Sequence, residues 1–325
     1  METDTAVLDW MLDSDPALRW QVERDLAGAA PEKWQATRAR VATEGFGAKL
    51  LALQDADGQR AGGSYFPADF DWHGPEAAKG AGQPWTATTW SLNGLRESGL
   101  DASVLAGTAE KLAANSRWDY NNGPYWQGEV DCCINGYTIA NGAWLGADVA
   151  ELANWFLEHR MADGGWNCEW EEGSIRSSFN STLNSLKGLL YYEAATGGTP
   201  ELTAARHAAE EYLLERRLMY RLSTGERHDS WATHFAYPFR WFYSLPNALD
   251  YFRSAALHDG TRPDARLAEA VEVVREARQP DGKWVQERRH PGRAWFDVDV
   301  PVGEASPWLT FFGSRVLDWW DAAAI

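Results

Sequence analysis

The chain has 325 residues, and 47 acidic side chains against 30 lysines and arginines give it a formal net charge of −17. Nucleic acid and anionic membranes are disfavoured as main partners because both are negatively charged. No apolar run reaches the ~18 residues of a membrane-spanning helix, and the start of the chain lacks the basic and apolar stretches of a signal peptide. Three cysteines, two of them adjacent, cannot form a disulfide framework. We therefore expect a cytoplasmic protein with reduced thiols.

Helical periodicity dominates the chain from its N-terminal helical lead-in, residues 1–30, onwards. Predicted helices cover 32–53, 85–95, 102–118, 131–145, 149–161, 178–195, 202–222, 239–256, 266–278 and 307–320. Runs of β-branched residues with period-two alternation are nearly absent. The sequence therefore predicts an all-α protein.

These helices come in pairs, and the first helix of each pair starts near 85, 131, 178, 239 or 307. Such spacing is typical of helical repeats. The helices at 85–95 and 131–145 carry few charges around their circumference, whereas 202–222 has a charged face. We expect inner and outer helices that close into a double-layered ring, with residues 1–325 as a single domain.

Three connecting segments contain an Asp-Gly pair that favours a tight turn. They lie at 54–60, 163–166 and 279–284, and the last two continue into a tryptophan. The chain has 19 tryptophans in all, which indicates either an aromatic-walled cavity or wide helix-packing interfaces. We expect the Asp-Gly segments to form one rim of the ring, together with long loops.

With these Gln-x-x-Asp-Gly-x-Trp-like segments, residues 45–320 resemble the α/α-toroid superfamily of terpenoid (squalene) cyclases and protein prenyltransferase β-subunits. The resemblance implies an α/α toroid with Asp-Gly-x-Trp rim loops and a central cavity for an isoprenoid or other hydrophobic substrate. A single ring is similar to a stand-alone cyclase-like protein or to a prenyltransferase subunit, which would have a partner subunit. The alternative is a non-catalytic toroid that binds an apolar ligand or a protein partner.

The resemblance also implies a zinc site. Asp131 and Cys133 match the Asp-x-Cys ligands of prenyltransferases, and Asn180 stands where that family has a histidine ligand. Cys168 offers a third donor, which leaves one coordination position open, as in catalytic zinc sites. The alternative is a pair of unligated thiols beside an aspartate that caps the helix.

Two further groups are candidates for catalysis or anion binding. Asp297 and Asp299 resemble the acid motif of class II cyclases, with Asp299 as the proton donor and its last aspartate missing. Arg288 and Arg289 are candidates for a diphosphate clamp. In the alternative interpretations, the aspartates are capping or solvent-exposed groups and the arginines belong to a solvated loop.

The remaining predicted substrate-binding side chains are mostly aromatic. They would stabilise a carbocation through the ring quadrupole or bind an apolar ligand by burying its surface. They are Trp85, Trp126, Tyr137, Trp166, Trp170, Phe179, Asn180, Trp241 and Trp308.

Overall fold

The computed structural model describes residues 3–228 and 230–323, and over these residues it contains helices and isolated bridges but no strand. The prediction of an all-α protein is confirmed. The helices are α1 (Thr5–Leu12), α2 (Pro16–Asp25), α3 (Pro31–Ala39), α4 (Gly45–Leu51), α5 (Thr88–Glu97), α6 (Thr108–Asn115), α7 (Cys132–Leu145), α8 (Ala150–Glu158), α9 (Phe179–Thr196), α10 (Pro200–Glu215), α11 (Ser230–Thr233), α12 (Leu245–Asp259), α13 (Ala268–Glu276) and α14 (Pro307–Ala323).

The chain divides into two compact units. The terminal unit comprises Met1–Thr37, Ala208–Arg289 and Val298–Ile325, and the central unit comprises Arg38–His207 and His290–Asp297. Each unit has its own helical core. The interpretation of 1–325 as a single toroid domain stays a prediction.

The core of the central unit is built on helix α7, which packs against α9 and α5. Gly136 and Gly188 lie where α7 and α9 cross, and a Cβ on either would overlap the backbone of the facing helix. Tyr137 reinforces the crossing, because its hydroxyl donates to Asn184 Oδ1 at 2.8 Å. Close approach of the two backbones brings the chain segments that precede α7 and α9 near each other.

Burial differs between the first and second helices of the pairs. Helix α7 is buried around most of its circumference, whereas α8 buries only one face, through Leu152, Ala153 and Phe156. In the terminal unit, α12 packs against α14, and α13 packs on both of them. An apolar stripe on a second helix and an apolar circumference on a first helix produce this layering within each unit. Closure into a ring stays a prediction.

The three Asp-Gly segments fold into tight turns. Gly58, Gly164 and Gly282 have φ values of +92°, +102° and +84°, a left-handed region that favours glycine. The side chain two residues after each glycine is Arg60, Trp166 or Trp284. Each turn therefore ends on one large side chain that faces the preceding helix.

That large side chain makes the same bonds in each turn. Trp166 Nε1 and Trp284 Nε1 donate to the carbonyl ten residues upstream, at 3.0 and 2.8 Å, and Arg60 Nε lies 3.5 Å from the corresponding carbonyl. The backbone N–H of each donates to a threonine hydroxyl at 3.0 to 3.1 Å, on Thr182, Thr310 and Thr88 respectively. The sequence repeat therefore corresponds to a structural repeat.

The prediction of one continuous helix over 32–53 is wrong. Helix α3 ends at Ala39, a short 3-10 turn follows, and α4 begins at Gly45, which has a φ of +63°. A Cβ on Gly47 would overlap the Val41 carbonyl, so the chain folds back tightly on itself here. Apolar spacing alone does not reveal this reversal, because the residues on both sides keep helical periodicity.

Two other predicted boundaries are also wrong. The helix expected over 239–256 begins at Leu245, after Ser244, whose hydroxyl accepts the Asn247 N–H at 3.4 Å. The helix expected over 202–222 ends at Glu215, and Arg217 and Leu218 then have positive φ values. Backbone conformation at these termini overrides a periodicity that continues in the sequence.

Candidate functional site

Asp131, Cys133 and Cys168 in the central unit each place one potential ligand atom within 4.8 Å of the others. We call these three residues the thiol–carboxylate cluster. The Sγ atoms of Cys133 and Cys168 are 3.1 Å apart, and the Sγ of the fully buried Cys132 lies 3.5 Å from that of Cys168. The structure therefore brings together the residues that the sequence suggests as metal ligands.

The segment before α7 is held against the first turn of that helix. Asn135 Oδ1 accepts the Glu129 N–H at 2.8 Å, and Asn135 Nδ2 donates to the Glu129 carbonyl at 2.7 Å. Glu129 Oε2 in turn accepts the Asp131 N–H at 2.7 Å. Gly128, with a φ of +75°, leaves room for the Asn135 side chain. These contacts fix the backbone from which the Asp131 carboxyl group projects.

Asp131 occupies the N-cap position of α7, but its side chain makes no capping hydrogen bond. The side-chain cap in the alternative prediction is therefore wrong, whereas its pair of unligated thiols stays a prediction. Its carboxyl group is instead partly buried beside Cys168. A carboxyl group placed in this way is available as a ligand oxygen.

Cys168 lies in a short turn that is tied to both α9 and the segment before α7. The Cys168 N–H donates to Ser181 Oγ at 3.1 Å, and Asn167 Oδ1 accepts the Glu169 N–H at 3.1 Å. Trp170 Nε1 donates to the Val130 carbonyl at 2.8 Å. Trp170, predicted to bind substrate, therefore joins the Cys168 turn to the residue before Asp131.

Burial and mutual contact shift the pKa values within the cluster. Hydrogen bonds with the Cys132 and Cys133 thiols lower the pKa of Cys168. Burial is the main cause of the raised pKa of Cys132. The hydrogen bond with Cys168 is the main cause of the raised pKa of Cys133. Burial, followed by the negative charge on Cys168, raises the pKa of Asp131 to about 8. Metal binding uses the deprotonated thiolate and carboxylate forms, so a divalent cation would displace the protons that these side chains hold.

Buried aromatic rings adjoin this cluster. Tyr65 and Tyr137 have pKa values raised first by burial and next by the nearby Cys133 thiol. The Trp90 ring lies between them, with centroids 4.9 Å from Tyr65 and 5.3 Å from Tyr137. Trp85 meets Trp90 edge-on at 4.7 Å, and its indole N–H donates to the Pro291 carbonyl at 3.0 Å. These four rings form an apolar wall beside the cluster.

Tyr65 is a member of this wall that the sequence did not single out. It lies in the long connection after the first Asp-Gly turn, where no periodicity indicates which side chains are buried. The packing of its ring against Trp90 and its proximity to Cys133 mark it as part of the site.

Other predicted substrate-binding residues of the central unit have structural contacts. Trp126 Nε1 donates to the Ala109 carbonyl at 2.9 Å, and its ring lines a surface groove between α6 and α8. Trp166 is fully buried by its contact with α8. Phe179 and Asn180 open helix α9, the first buried and the second half-buried. Their roles toward a substrate stay predictions.

Asp299 in the terminal unit is the second candidate catalytic group. Ser306 Oγ donates to its Oδ2 at 2.6 Å, while its buried Oδ1 has no hydrogen-bond partner among the described residues. Burial raises the pKa of Asp299 to about 6. Asp297 is exposed, and its predicted sharing of a proton with Asp299 stays a prediction.

The remaining candidates of the terminal unit lie in or beside packed aromatic groups and loops. Trp308 stacks on Tyr237 with centroids 4.6 Å apart, and Trp241 stacks on Phe242 at 3.9 Å. The Arg289 guanidinium donates to the Asp299 carbonyl at 2.7 Å, and Arg288 has a buried Nε with no hydrogen-bond partner in the described chain. An anion clamp formed by Arg288 and Arg289 stays a prediction.

No protein-family model and no curated protein sequence matches this chain. Among the helices that the structure describes, none combines the length and apolar character needed to cross a bilayer. The resemblance to terpenoid cyclases and prenyltransferases, together with what it implies about substrate and cofactor, stays a prediction.

Proposed function

We propose that the chain is a terpenoid-cyclase-like or prenyltransferase-like enzyme that holds a zinc ion on Asp131, Cys133 and Cys168. Its substrate would be an isoprenoid or a similarly hydrophobic molecule, bound against the neighbouring aromatic wall. The single observation that carries the proposal is the convergence of one carboxylate and two thiol groups within 4.8 Å.

The donor atoms fit zinc chemically. Zinc prefers sulfur, imidazole and carboxylate ligands, and ligands bound about 2.0 to 2.3 Å from the ion lie about 3 to 4 Å from one another. Cys133 Sγ and Cys168 Sγ are 3.1 Å apart, so a small adjustment would suffice. Cys168 would supply the donor that Asn180 cannot, because a neutral amide is a poor zinc ligand.

Each part of the site has a separate task in this proposal. A bound zinc ion would act as a Lewis acid, since three protein ligands leave one position for an exchangeable group. Tyr65 and Tyr137 stay neutral because burial raises their pKa values. With Trp90, they exclude water and offer ring faces worth ~1–2 kcal/mol each to a desolvated cation.

We also propose that the chain adopts the α/α-toroid fold implied by the resemblance. The three equivalent Asp-Gly turns support it, because repeat architectures reuse one local unit. The contacts of α7 with α5 and α9, and of α12 with α14, also support it, since successive first helices are neighbours in such a ring.

Elemental analysis of the purified full-length protein tests the metal site. We expect about one zinc per chain in the wild type and little in Asp131→Asn, Cys133→Ser or Cys168→Ser, because each variant removes a ligand. Cys132→Ser is the matched control and should retain zinc, since Cys132 lies outside the mutually close set. A wild type without zinc after growth in zinc-supplemented medium would contradict the metal proposal.

Mass spectrometry after incubation with prenyl diphosphates and with squalene tests the reaction class. The proposal expects a new product from wild type that is absent with Cys133→Ser. Substrate recovered unchanged but retained by the protein would instead favour the non-catalytic apolar-ligand binder.

Asp299 favours acid catalysis as a second candidate function. Its unpartnered buried oxygen and raised pKa describe a carboxyl group poised to donate a proton. In this case Asp299→Asn would abolish squalene conversion, whereas Asp297→Asn, at an exposed position, would leave most of it. Activity should fall as pH rises through about 6, because the donor then loses its proton.

A further inference from the structure

A groove of about 920 Å³ lies on the central unit, away from the residues of the thiol–carboxylate cluster. Helix α6 forms one wall, the start and exposed face of α8 form the other, and the segment around Trp126 closes one end. Trp126, Val149 and Leu152 contribute largely buried apolar side chains to its floor. The volume is at the upper end of the range for small-molecule pockets.

The groove is acidic on both walls. Its lining contains no lysine, arginine or histidine, and it carries four exposed carboxylates: Glu110, Asp148, Glu151 and Glu158. None of the four forms an ion pair with another described residue. Carboxylates without an ion-pair partner around an apolar floor attract cations, because a cleft lined by one sign of charge concentrates its electric field.

Trp155 gives the groove a rigid aromatic wall. Its ring is half-buried, stacks on His159 with centroids 4.0 Å apart, and meets Trp170 edge-on at 6.2 Å. A ring held in this way loses little conformational freedom when a partner covers it. Rigid aromatic side chains of this kind often anchor protein interfaces.

From these contacts we infer that the groove docks a cationic amphipathic segment of a partner protein. Glu151 and Glu158 lie near the two ends of α8, so they are ~10 Å apart along the helix at 1.5 Å per residue. One ammonium group cannot reach both. A peptide with several lysines or arginines spans that distance and also places apolar side chains on the groove floor beside Trp155. A simple polyamine has no such apolar side chains. The inference does not depend on the proposed zinc site.

Fluorescence anisotropy with the full-length protein tests this inference. The probe is a fluorescein-labelled 16-residue helical peptide with leucines on one face and lysines on the other. Its matched partner has glutamates in place of the lysines. We expect only the lysine peptide to bind, with an affinity that falls as salt is raised, since screening shortens electrostatic attraction.

Substitutions separate the contribution of the groove carboxylates to peptide affinity from that of the overall net charge. The triple variant E110Q/E151Q/E158Q should weaken binding of the lysine peptide by about tenfold, or about 1.4 kcal/mol. The control triple E32Q/E172Q/E201Q, at exposed positions outside the lining, changes the net charge equally and should alter the affinity less than about twofold. Trp155→Leu should weaken the lysine peptide without changing its salt dependence.

Three outcomes would overturn the inference. The first is no binding of the lysine peptide up to about 1 mM. The second is equal weakening by both triple variants, which would assign the attraction to the general charge of −17. The third is spermine that binds more tightly than the peptide with the same sensitivity to E110Q/E151Q/E158Q, which would make the occupant a small polycation.

Discussion

The Asp-Gly turn over Asp163–Trp166 in the central unit and the one over Asp281–Trp284 in the terminal unit share a fold but not a chemistry. Both bury an indole that donates to the preceding helix, at 3.0 and 2.8 Å. Two residues later, Cys168 joins the thiol–carboxylate cluster, whereas the buried Gln286 amide bonds the backbone N–H and carbonyl of Tyr237 at 2.9 and 2.6 Å. The two turns therefore share their backbone structure, and the side chain two residues after the tryptophan, Cys168 or Gln286, makes different contacts in each.

The first turn shows how far this shared backbone structure tolerates change. Arg60 takes the place of the tryptophan, keeps the backbone bond to Thr88 and remains fully buried. Its Nη1 and Nη2 find no hydrogen-bond partner among the described residues, and burial lowers its pKa to about 10. The shared backbone geometry thus persists even where the side chain is poorly satisfied.

Removing either buried indole should have the largest effect. Trp166→Ala and Trp284→Ala should each lower the free energy of unfolding by about 3–5 kcal/mol, because a large cavity replaces packed surface. The matched variants Trp166→Phe and Trp284→Phe keep most of the buried surface. They also lose the indole hydrogen bond, which contributes about 1 kcal/mol on its own, so the expected loss is smaller than in the alanine variants. Urea denaturation followed by circular dichroism measures both. If only one of the alanine variants lowered the free energy of unfolding by less than about 1 kcal/mol, the two turns would not be energetically equivalent.

Arg60→Met should raise the free energy of unfolding by about 1–3 kcal/mol, because it removes a buried charge with two unsatisfied nitrogens. The matched control is Arg206→Met. Arg206 Nε lies 2.9 Å from Glu193 Oε2, and both side chains are buried. Here the substitution should lower the free energy of unfolding by about 3–5 kcal/mol, since it leaves an uncompensated carboxylate. The same urea assay applies, and a destabilised Arg60→Met would mean that Arg60 has a stabilising partner.

Asp299 makes the terminal unit sensitive to pH. Its folded-state pKa of about 6 lies above the ordinary value of 3.8, so the stability it contributes is present at low pH and is lost as pH rises through about 6. Asp299→Asn should therefore raise the free energy of unfolding by about 1–2 kcal/mol at pH 8, after allowance for its partial exposure, and change it little at pH 4. Urea denaturation at the two pH values measures the difference. An equal change at both would show that the effect does not come from titration.

Trp170→Phe tests the Cys168 turn alone, through zinc affinity. The variant keeps an aromatic ring but loses the 2.8 Å hydrogen bond to the Val130 carbonyl. If the cluster holds zinc as proposed, competition with a chelator should show an affinity about tenfold lower, because the turn that presents Cys168 is less well held. Unchanged zinc affinity would mean that other contacts, such as that with Ser181, suffice to position Cys168.

Much of the fold was predictable because the signals for it are local. The all-α class follows from apolar periodicity, and the Asp-Gly turns follow from glycines that adopt positive φ values. The break between α3 and α4 was not predictable, because it depends on the fit of Gly47 against the Val41 carbonyl. The burial of Tyr65 was not predictable either, because its ring packs against Trp90, which is distant in the sequence.

By itself, the sequence determined that the chain is helical, where its glycine turns lie, and which cysteines and aspartates are candidates for chemistry. Only the tertiary structure decided that Cys168 meets Cys133 at 3.1 Å and that Asp131 turns its carboxyl group toward them instead of capping α7. The physical reason is distance along the chain. Periodicity and turn geometry act over a few residues, whereas this encounter requires α7 and α9 to cross at Gly136 and Gly188.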